Sequence, residues 1–265
     1  MTVEPYHSDD RVTLYGGDAL AVLASLPSAS VDAVITDQPY SSGGKFRGDR
    51  MATTRSKYAQ AGFAGAGLPD FTGDNRDQRG YAYWCALWLS ECLRITKTDG
   101  TCLLFTDWRQ LPATTDAIQA GGWMWQGVVP WVKPLGSVRP TPGRFQAQCE
   151  YVVWATAGQL VTDRTASCLP GFLQAAPPRE REHITQKPLN IMRDLVKIAP
   201  KGGTVLDPFM GAGTTGVAAI IEGRDFIGTE LAEHYQRIAR ERIVAAQVGY
   251  RDDGKQMPLI SENVA

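Results

Sequence analysis

The sequence predicts an α/β fold, a mostly parallel sheet with helices on both faces and a ligand site at the carboxyl ends of its strands. Three observations carry that expectation. Gly203–Leu206 reads as a short buried strand, Gly211 and Gly213 as a tight turn, and Thr215–Ile221 as the start of an apolar-faced helix. A second apolar strand, Val31–Thr36, ends in Asp37-Gln38-Pro39-Tyr40. Between these two units helical and strand periodicities alternate, with a helix over 83–95, a strand over 101–106 and a helix over 114–120.

The remaining elements follow in chain order. Asp18 precedes the apolar run Ala19–Ser25 and suits its N-cap. Residues 41–74 are rich in glycine and predict a mobile loop. Trp84, Trp88, Trp108, Trp123, Trp125 and Trp131 read as core, and the alternation through Trp123, Trp125 and Gly127–Trp131 reads as a strand. Glu150–Ala155 is a further strand, whereas 133–148 and 156–182 are rich in Pro, Gly and Arg and predict no regular element. Pro188 suits the first turn of a helix running to about Ile198. Asp225–Thr229 reads as a strand ending at Glu230. Leu231 to about Ala246 reads as a helix with Leu231, Tyr235, Ile238 and Ile243 on one face, and a tail follows Gly249.

Composition bounds the class. A chain of 265 residues with 43% hydrophobic content can bury one sizeable core, so a single domain over 1–265 is expected. Neither an 18-residue apolar run nor a basic-then-apolar leader is evident, which predicts a cytoplasmic protein without a membrane. The five cysteines are odd in number and lack paired spacing, so core thiols are expected, with neither a disulfide framework nor a metal site. Net charge is -1, which by itself argues for no nucleic-acid partner. The local distribution differs: Lys45, Arg47, Arg50, Arg55 and Lys57 are opposed only by Asp49, a loop suited to phosphates, although a solvated loop has the same composition.

The glycine turn offers unpaired N–H donors at a helix N-terminus, a place for an anionic or polar ligand. No Lys-Ser or Lys-Thr pair follows the glycines, which argues against a phosphate-loop kinase or ATPase. Gly211, Gly213 and Gly216 spell the dinucleotide fingerprint, with acidic Glu230 about 20 residues on, so NAD and S-adenosylmethionine both remain open. Glu230 can accept hydrogen bonds from ribose hydroxyls or cap a helix. The Asp37-Gln38-Pro39-Tyr40 run can grip an exocyclic amino group, through the carboxylate and a main-chain carbonyl, while the Tyr40 ring stacks on a base. An ordinary strand-to-turn exit uses the same residue types.

Together these segments resemble the amino-methylating DNA methyltransferases that use S-adenosyl-L-methionine. Specifically, they resemble the circularly permuted beta class, whose catalytic tetrapeptide precedes the cofactor motif. His183-Ile184-Thr185-Gln186-Lys187-Pro188 and Thr13–Leu20 are similar to two further segments of that family. The resemblance implies a Rossmann-like methyltransferase fold, a catalytic set of Asp37, Gln38, Pro39 and Tyr40, and cofactor contacts from Asp18, Ala19, His183, Thr185, Lys187, Asp207, Phe209, Gly211, Gly213, Thr214 and Glu230. It implies base flipping in double-stranded DNA and direct methyl transfer without a metal. The region 41–80 then becomes a basic DNA-closing loop, and about 133–182 becomes target recognition, with Lys133, Arg139, Arg144, Arg164, Arg179 and Arg181 as candidate DNA contacts, although solvated loop arginines are the commoner explanation for any single one. Asp at position 37 implies adenine-N6 as acceptor, with cytosine-N4 the closest alternative. No cysteine follows a proline, which argues against cytosine-C5 chemistry. A homodimer is implied, and a restriction endonuclease counterpart is left open.

One position departs from the family signature: Gln38 stands where proline is usual. Its loss of fixed φ predicts a less preorganised loop, and its amide is expected to compete for the amino group or the flipped base. A DNA-binding protein with impaired turnover is therefore a second reading, and an NAD-dependent oxidoreductase a third.

Overall fold

Alternation along the central strands creates two cores. In β3 (Val31–Thr36) Ala33 and Ile35 enter one core and Val34 the other. In β4 (Thr96–Thr106) Leu103 and Phe105 face the first core, and Cys102 and Leu104 the second. Both faces must therefore be covered by helices. This is seen in the computed structural model, which describes residues 3–40, 76–138, 140, 142–159, 168–178 and 186–250.

The other strands are β1 (His7–Ser8), β2 (Val12–Gly16), β5 (Met124–Val132), β6 (Cys149–Thr156), β7 (Leu173–Gln174), β8 (Thr204–Asp207) and β9 (Asp225–Glu230). Among the described residues they form one sheet in the order β1-β2-β9-β8-β3-β4-β6-β5-β7. The run β2-β9-β8-β3-β4 is parallel throughout, and β4, β6 and β5 continue it in antiparallel pairs. Helices α1 (Ala19–Ser25), α2 (Gln78–Ile95) and α3 (Leu111–Ala120) cover one face; α4 (Leu189–Val196), α5 (Thr214–Ile221) and α6 (Glu233–Tyr250) cover the other.

The chain runs β8-α5-β9 away from the sheet centre in one direction and β3-α2-β4 in the other, with α5 and α2 on opposite faces. Strand order thus reverses between β8 and β3, and a crevice opens at their carboxyl ends.

Several expectations need correction. α2 begins at Gln78, ahead of the predicted Tyr83, because Asp77 caps it by accepting from Gly80 N at 2.8 Å. Pro188 is the N-cap of α4, outside the first turn, and the helix stops at Val196. α6 starts at Glu233, since Ala232 N is taken by Glu230 Oε1 at 2.8 Å, and Leu231 is left exposed outside the helix. The region read as irregular contains β7, which pairs in parallel with β5. Trp88, Trp123 and Trp131 are core, but Trp108 and Trp125 are 55% and 45% exposed. Arg109 lies over the Trp108 ring at 4.8 Å, and the Trp125 indole nitrogen donates to the Gly127 carbonyl. Cys85, Cys92 and Cys102 are core thiols as expected, whereas Cys149 is half-buried and Cys168 exposed. Among the described residues no helix is long and apolar enough to cross a membrane.

Candidate functional site

Asp207, the last residue of β8, ties the crevice together. Its carboxylate accepts from Thr36 Oγ1 at 2.6 Å across the reversal point, from Thr215 Oγ1 at 2.5 Å in α5, and from Phe209 N at 3.0 Å. Burial pushes its carboxyl up to about 6, against the lowering effect of these donors. At 2% exposure, Asp207 joins elements from both sides of the crevice.

The glycine turn is shaped by backbone and packing. Gly211 and Gly213 have φ of 52° and 76°, in the left-handed region that glycine tolerates best. A Cβ on Gly213 would lie 3.0 Å from Ala239 in α6, and one on Gly216 would lie 2.6 Å from Ile243. These two glycines let α6 approach α5, a packing reason for glycine that stands beside the ligand-approach reason expected for Gly213. Gly211 N donates to Glu230 Oε2 at 3.1 Å. Burial holds the Glu230 carboxyl above its usual range, against the N–H donors of Ala232 and Gly211. Gly17 N bonds the Glu230 carbonyl at 3.1 Å, which sets Asp18 beside it. Asp18 caps α1 through Ala21 N at 3.2 Å, and Ala19 is the buried first residue of that helix. The Thr214 hydroxyl accepts from Arg242 at 3.2 Å, and the half-buried Phe209 packs against Trp84 and Trp88 with centroids 5.3 and 5.1 Å away.

The other wall carries charge. Asp37 follows β3 directly, and Tyr40 Oη donates to its Oδ1. Lys187 Nζ, 7% exposed, donates to Asp37 Oδ2 at 2.6 Å and pairs with Glu150 Oε2 at 3.4 Å; it also lies over the rings of Tyr40 and Phe105. Lys133 Nζ closes the series on Glu150 Oε1 at 2.5 Å. Burial raises the Asp37 carboxyl; Lys187 opposes that rise and Glu150 adds to it. Glu150 is held below its ordinary value, because Lys187 and Lys133 outweigh burial. Lys187 is held above its own, since Asp37 and Glu150 outweigh desolvation. Tyr40 is raised well above its ordinary range, chiefly by burial, and so stays a hydrogen-bond donor.

Gln38 is turned the other way. It is 1% exposed, and its Nε2 donates to the Phe105 carbonyl at 2.9 Å and to Tyr81 Oη at 3.0 Å. The expected competition of its amide with a base is corrected accordingly: the side chain sits in the core, and only its main chain remains near Asp37. Pro39 is half-buried beside it.

Asp37, Tyr40 and Lys187 thus meet; Gly211 and Glu230 meet at the end of β9, with Asp18 one residue from the Gly17 that bonds Glu230. Lys133, expected to contact DNA, is instead paired with Glu150. Arg144 is exposed, next to the exposed Phe145. Lys45, Arg47, Arg50, Arg55, Lys57, Arg139, Arg164, Arg179, Arg181, His183 and Thr185 lie outside the described residues. Glu150 was missed as a site residue. Its signal is a carboxylate two positions before buried Val152, on the same face of an apolar strand.

A doubly wound sheet with a glycine turn and an acidic strand end on one side of the reversal, and Asp37 with Tyr40 on the other, defines a Rossmann-like methyltransferase fold. The strand bearing Asp37 precedes the glycine turn in sequence, as in the permuted order. A profile of the DNA methylase family N6_N4_Mtase matches residues 31–165 and 165–241. The chain belongs to this family. It is 26% identical over 257 residues to the type II methyltransferase M.HinfI of Haemophilus influenzae, covering 87% of this chain and 68% of that one. Two crystal structures share the fold. The M1.HpyAVI–SAM complex superposes with TM-score 0.62 at 22% identity, covering 88% of this chain and 98% of that one. The cytosine-N4-specific PvuII DNA methyltransferase superposes with TM-score 0.67 at 18% identity, covering 93% and 94%.

Proposed function

We propose that this DNA methylase transfers the methyl group of S-adenosyl-L-methionine to the exocyclic N6 of adenine in double-stranded DNA. The observation that carries the reading is the placement of the Asp37 carboxylate and the Tyr40 ring at the end of β3, across the strand reversal from the Gly211–Glu230 turn. An acceptor amine and a bound nucleoside can be brought together there. Asp37 accepts one amino N–H and the adjacent main-chain carbonyl the other, which aims the nitrogen lone pair at the methyl group. Tyr40 stacks on the flipped base.

On this reading the cofactor ribose is taken by Glu230, with Asp18 and Ala19 toward its adenine and Gly211 N–H near its polar groups. His183, Thr185 and Lys187 flank the methionine side, while Phe209, with Trp84 and Trp88 behind it, supplies an apolar wall. The known S-adenosylmethionine complex of M1.HpyAVI supports the choice of cofactor over NAD. The basic residues of 41–80, together with Arg144 and Arg139, are proposed to grip phosphates, and a homodimer remains the expected assembly. Gln38 is compatible with turnover, because its amide faces the core.

Cytosine-N4 is the second reading. The PvuII enzyme has that specificity, and cytosine presents the same exocyclic amine to a carboxylate. The test is incubation of the protein with S-adenosylmethionine and unmethylated DNA, followed by mass spectrometry of the nucleosides. N6-methyladenine is expected. N4-methylcytosine overturns the base, and no modified nucleoside overturns the methyl-transfer reading.

A further inference from the structure

We propose that Glu150 is a positioning residue of the catalytic centre, holding Lys187 between two carboxylates so that Asp37 keeps a strongly accepting oxygen for the target amine. The inference rests on the methyl-transfer reading above. A lysine ammonium as buried as Lys187 needs compensation for lost hydration. Asp37 Oδ2 supplies part of it at 2.6 Å and Glu150 Oε2 the rest at 3.4 Å. Two carboxylates against one ammonium would leave an excess negative charge, and Lys133 balances it at 2.5 Å from Glu150 Oε1. The cluster is therefore two acids and two bases in strict alternation, with Asp37 at its end and Tyr40 Oη on the remaining oxygen of Asp37.

This order has a chemical consequence. A lysine paired with Asp37 alone would draw electron density from the carboxylate and make it a poor acceptor for a weakly acidic amino N–H. Glu150 competes for the same ammonium and adds its own negative charge nearby, so Asp37 stays more basic. Lys133 moderates the competition from the far side. Among the described residues the titratable groups facing Asp37 are Tyr40, Lys187 and Glu150, with Asp207 acting on it through charge from the end of β8.

Opposite charge changes in this series have opposite effects. Glu150→Gln keeps the shape and removes the negative charge, so the Asp37 carboxyl is expected to titrate lower by about one unit. The same variant is expected to lose about tenfold or more in kcat, with KM for the cofactor nearly unchanged. Lys133→Met leaves Glu150 more fully committed to Lys187, and Asp37 is expected to titrate higher. A loss of packing alone would not give shifts of opposite sign.

The experiment is a carbon-13 NMR titration of aspartate carboxyls in the full-length protein, with Asp37 assigned by the missing resonance of Asp37→Asn. It is run beside the pH profile of kcat. Opposite displacements, matched by the acid limb of kcat, support the proposal. An Asp37 titration unmoved in Glu150→Gln, shifts of the same sign, or a Glu150→Gln protein with wild-type kcat overturns it. If Glu150→Gln does not fold, Lys133→Met decides alone: an upward shift supports the proposal and no shift overturns it. A wild-type protein without activity overturns the methyl-transfer reading, and the NMR titration still decides the part played by Glu150.

Discussion

Gln38 Nε2 sits 2.9 Å from the carbonyl oxygen of Phe105 in β4, so the residue that departs from the family signature anchors the segment after β3 to the central sheet. Its second bond, to Tyr81 Oη in α2, joins that segment to the opposite helical layer. Proline at this position would supply a fixed φ but delete both bonds; Tyr81 Oη keeps its bond with Thr114 Oγ1 at 3.2 Å, while the buried Phe105 carbonyl loses a donor, at a cost of about 1–3 kcal/mol. Gln38→Pro is expected to lower unfolding stability by that amount in urea titration, without raising the methylation rate. A faster Gln38→Pro enzyme would show that the glutamine restrains catalysis.

Gly213 offers a second stability test. Its φ of 76° costs an L-residue about 1–2 kcal/mol, and a Cβ would press on Ala239 at 3.0 Å. Gly223 has a similar φ of 75° with open space around its missing Cβ. Gly213→Ala should therefore destabilise the protein more than Gly223→Ala in paired urea titrations, the difference reporting the α5–α6 contact. Equal losses would mean that backbone conformation alone requires glycine in the turn.

The sequence exposed what depends on periodicity and local chemistry. The strands around Asp37 and Asp207, the glycine turn and the acidic end of β9 all follow from patterns a few residues long. What it hid depends on distance in space. Lys133 and Lys187 are far apart in sequence and meet at Glu150, so neither its charge nor its spacing separates Lys133 from a solvated DNA contact. Gln38 was misread for the same reason: its partners Tyr81 and Phe105 lie 43 and 67 residues away. Two-residue strands such as β7 exist only through their pairing and leave no period to read.

Asp207 sets a pH dependence. Its folded-state carboxyl titrates at about 6, above the ordinary value of 3.8, because it is buried. Between these values the folded protein holds a proton that the unfolded chain has released. Stability contributed by this group is therefore present below about pH 4 and is lost as pH rises through 6. Asp207→Asn, which cannot titrate, should remove about 1–3 kcal/mol of that decline when unfolding is compared at pH 4.5 and pH 7. Identical pH dependence in wild type and variant would show that the carboxyl is not displaced.

Glu230 tests the cofactor side. Its two oxygens accept from Gly211 N and Ala232 N, with Leu231 N a third donor, which leaves acceptor capacity for a ribose hydroxyl. Glu230→Gln places an NH2 against one of these backbone donors and removes one acceptor. Affinity for S-adenosylmethionine is expected to fall about tenfold or more by calorimetry, since hydrogen bonds to charged groups are worth about 1.5–3 kcal/mol. Unchanged affinity would place the ribose elsewhere.

Tyr40 separates stacking from hydrogen bonding. Its hydroxyl donates to Asp37 Oδ1 and lies 3.3 Å from Glu150 Oε2, so an amino group reaching Oδ1 must displace it. Tyr40→Phe removes the occupant and keeps the ring; methylation is expected to persist within a few-fold, with KM for DNA unchanged or lower. Tyr40→Ala removes the ring as well, and loss of base stacking should cost about 1–3 kcal/mol in kcat/KM. Steady-state kinetics on one DNA substrate compare the two directly. If Tyr40→Phe were as impaired as Tyr40→Ala, the hydroxyl would be part of the active arrangement and would not be a group that yields its place to the substrate.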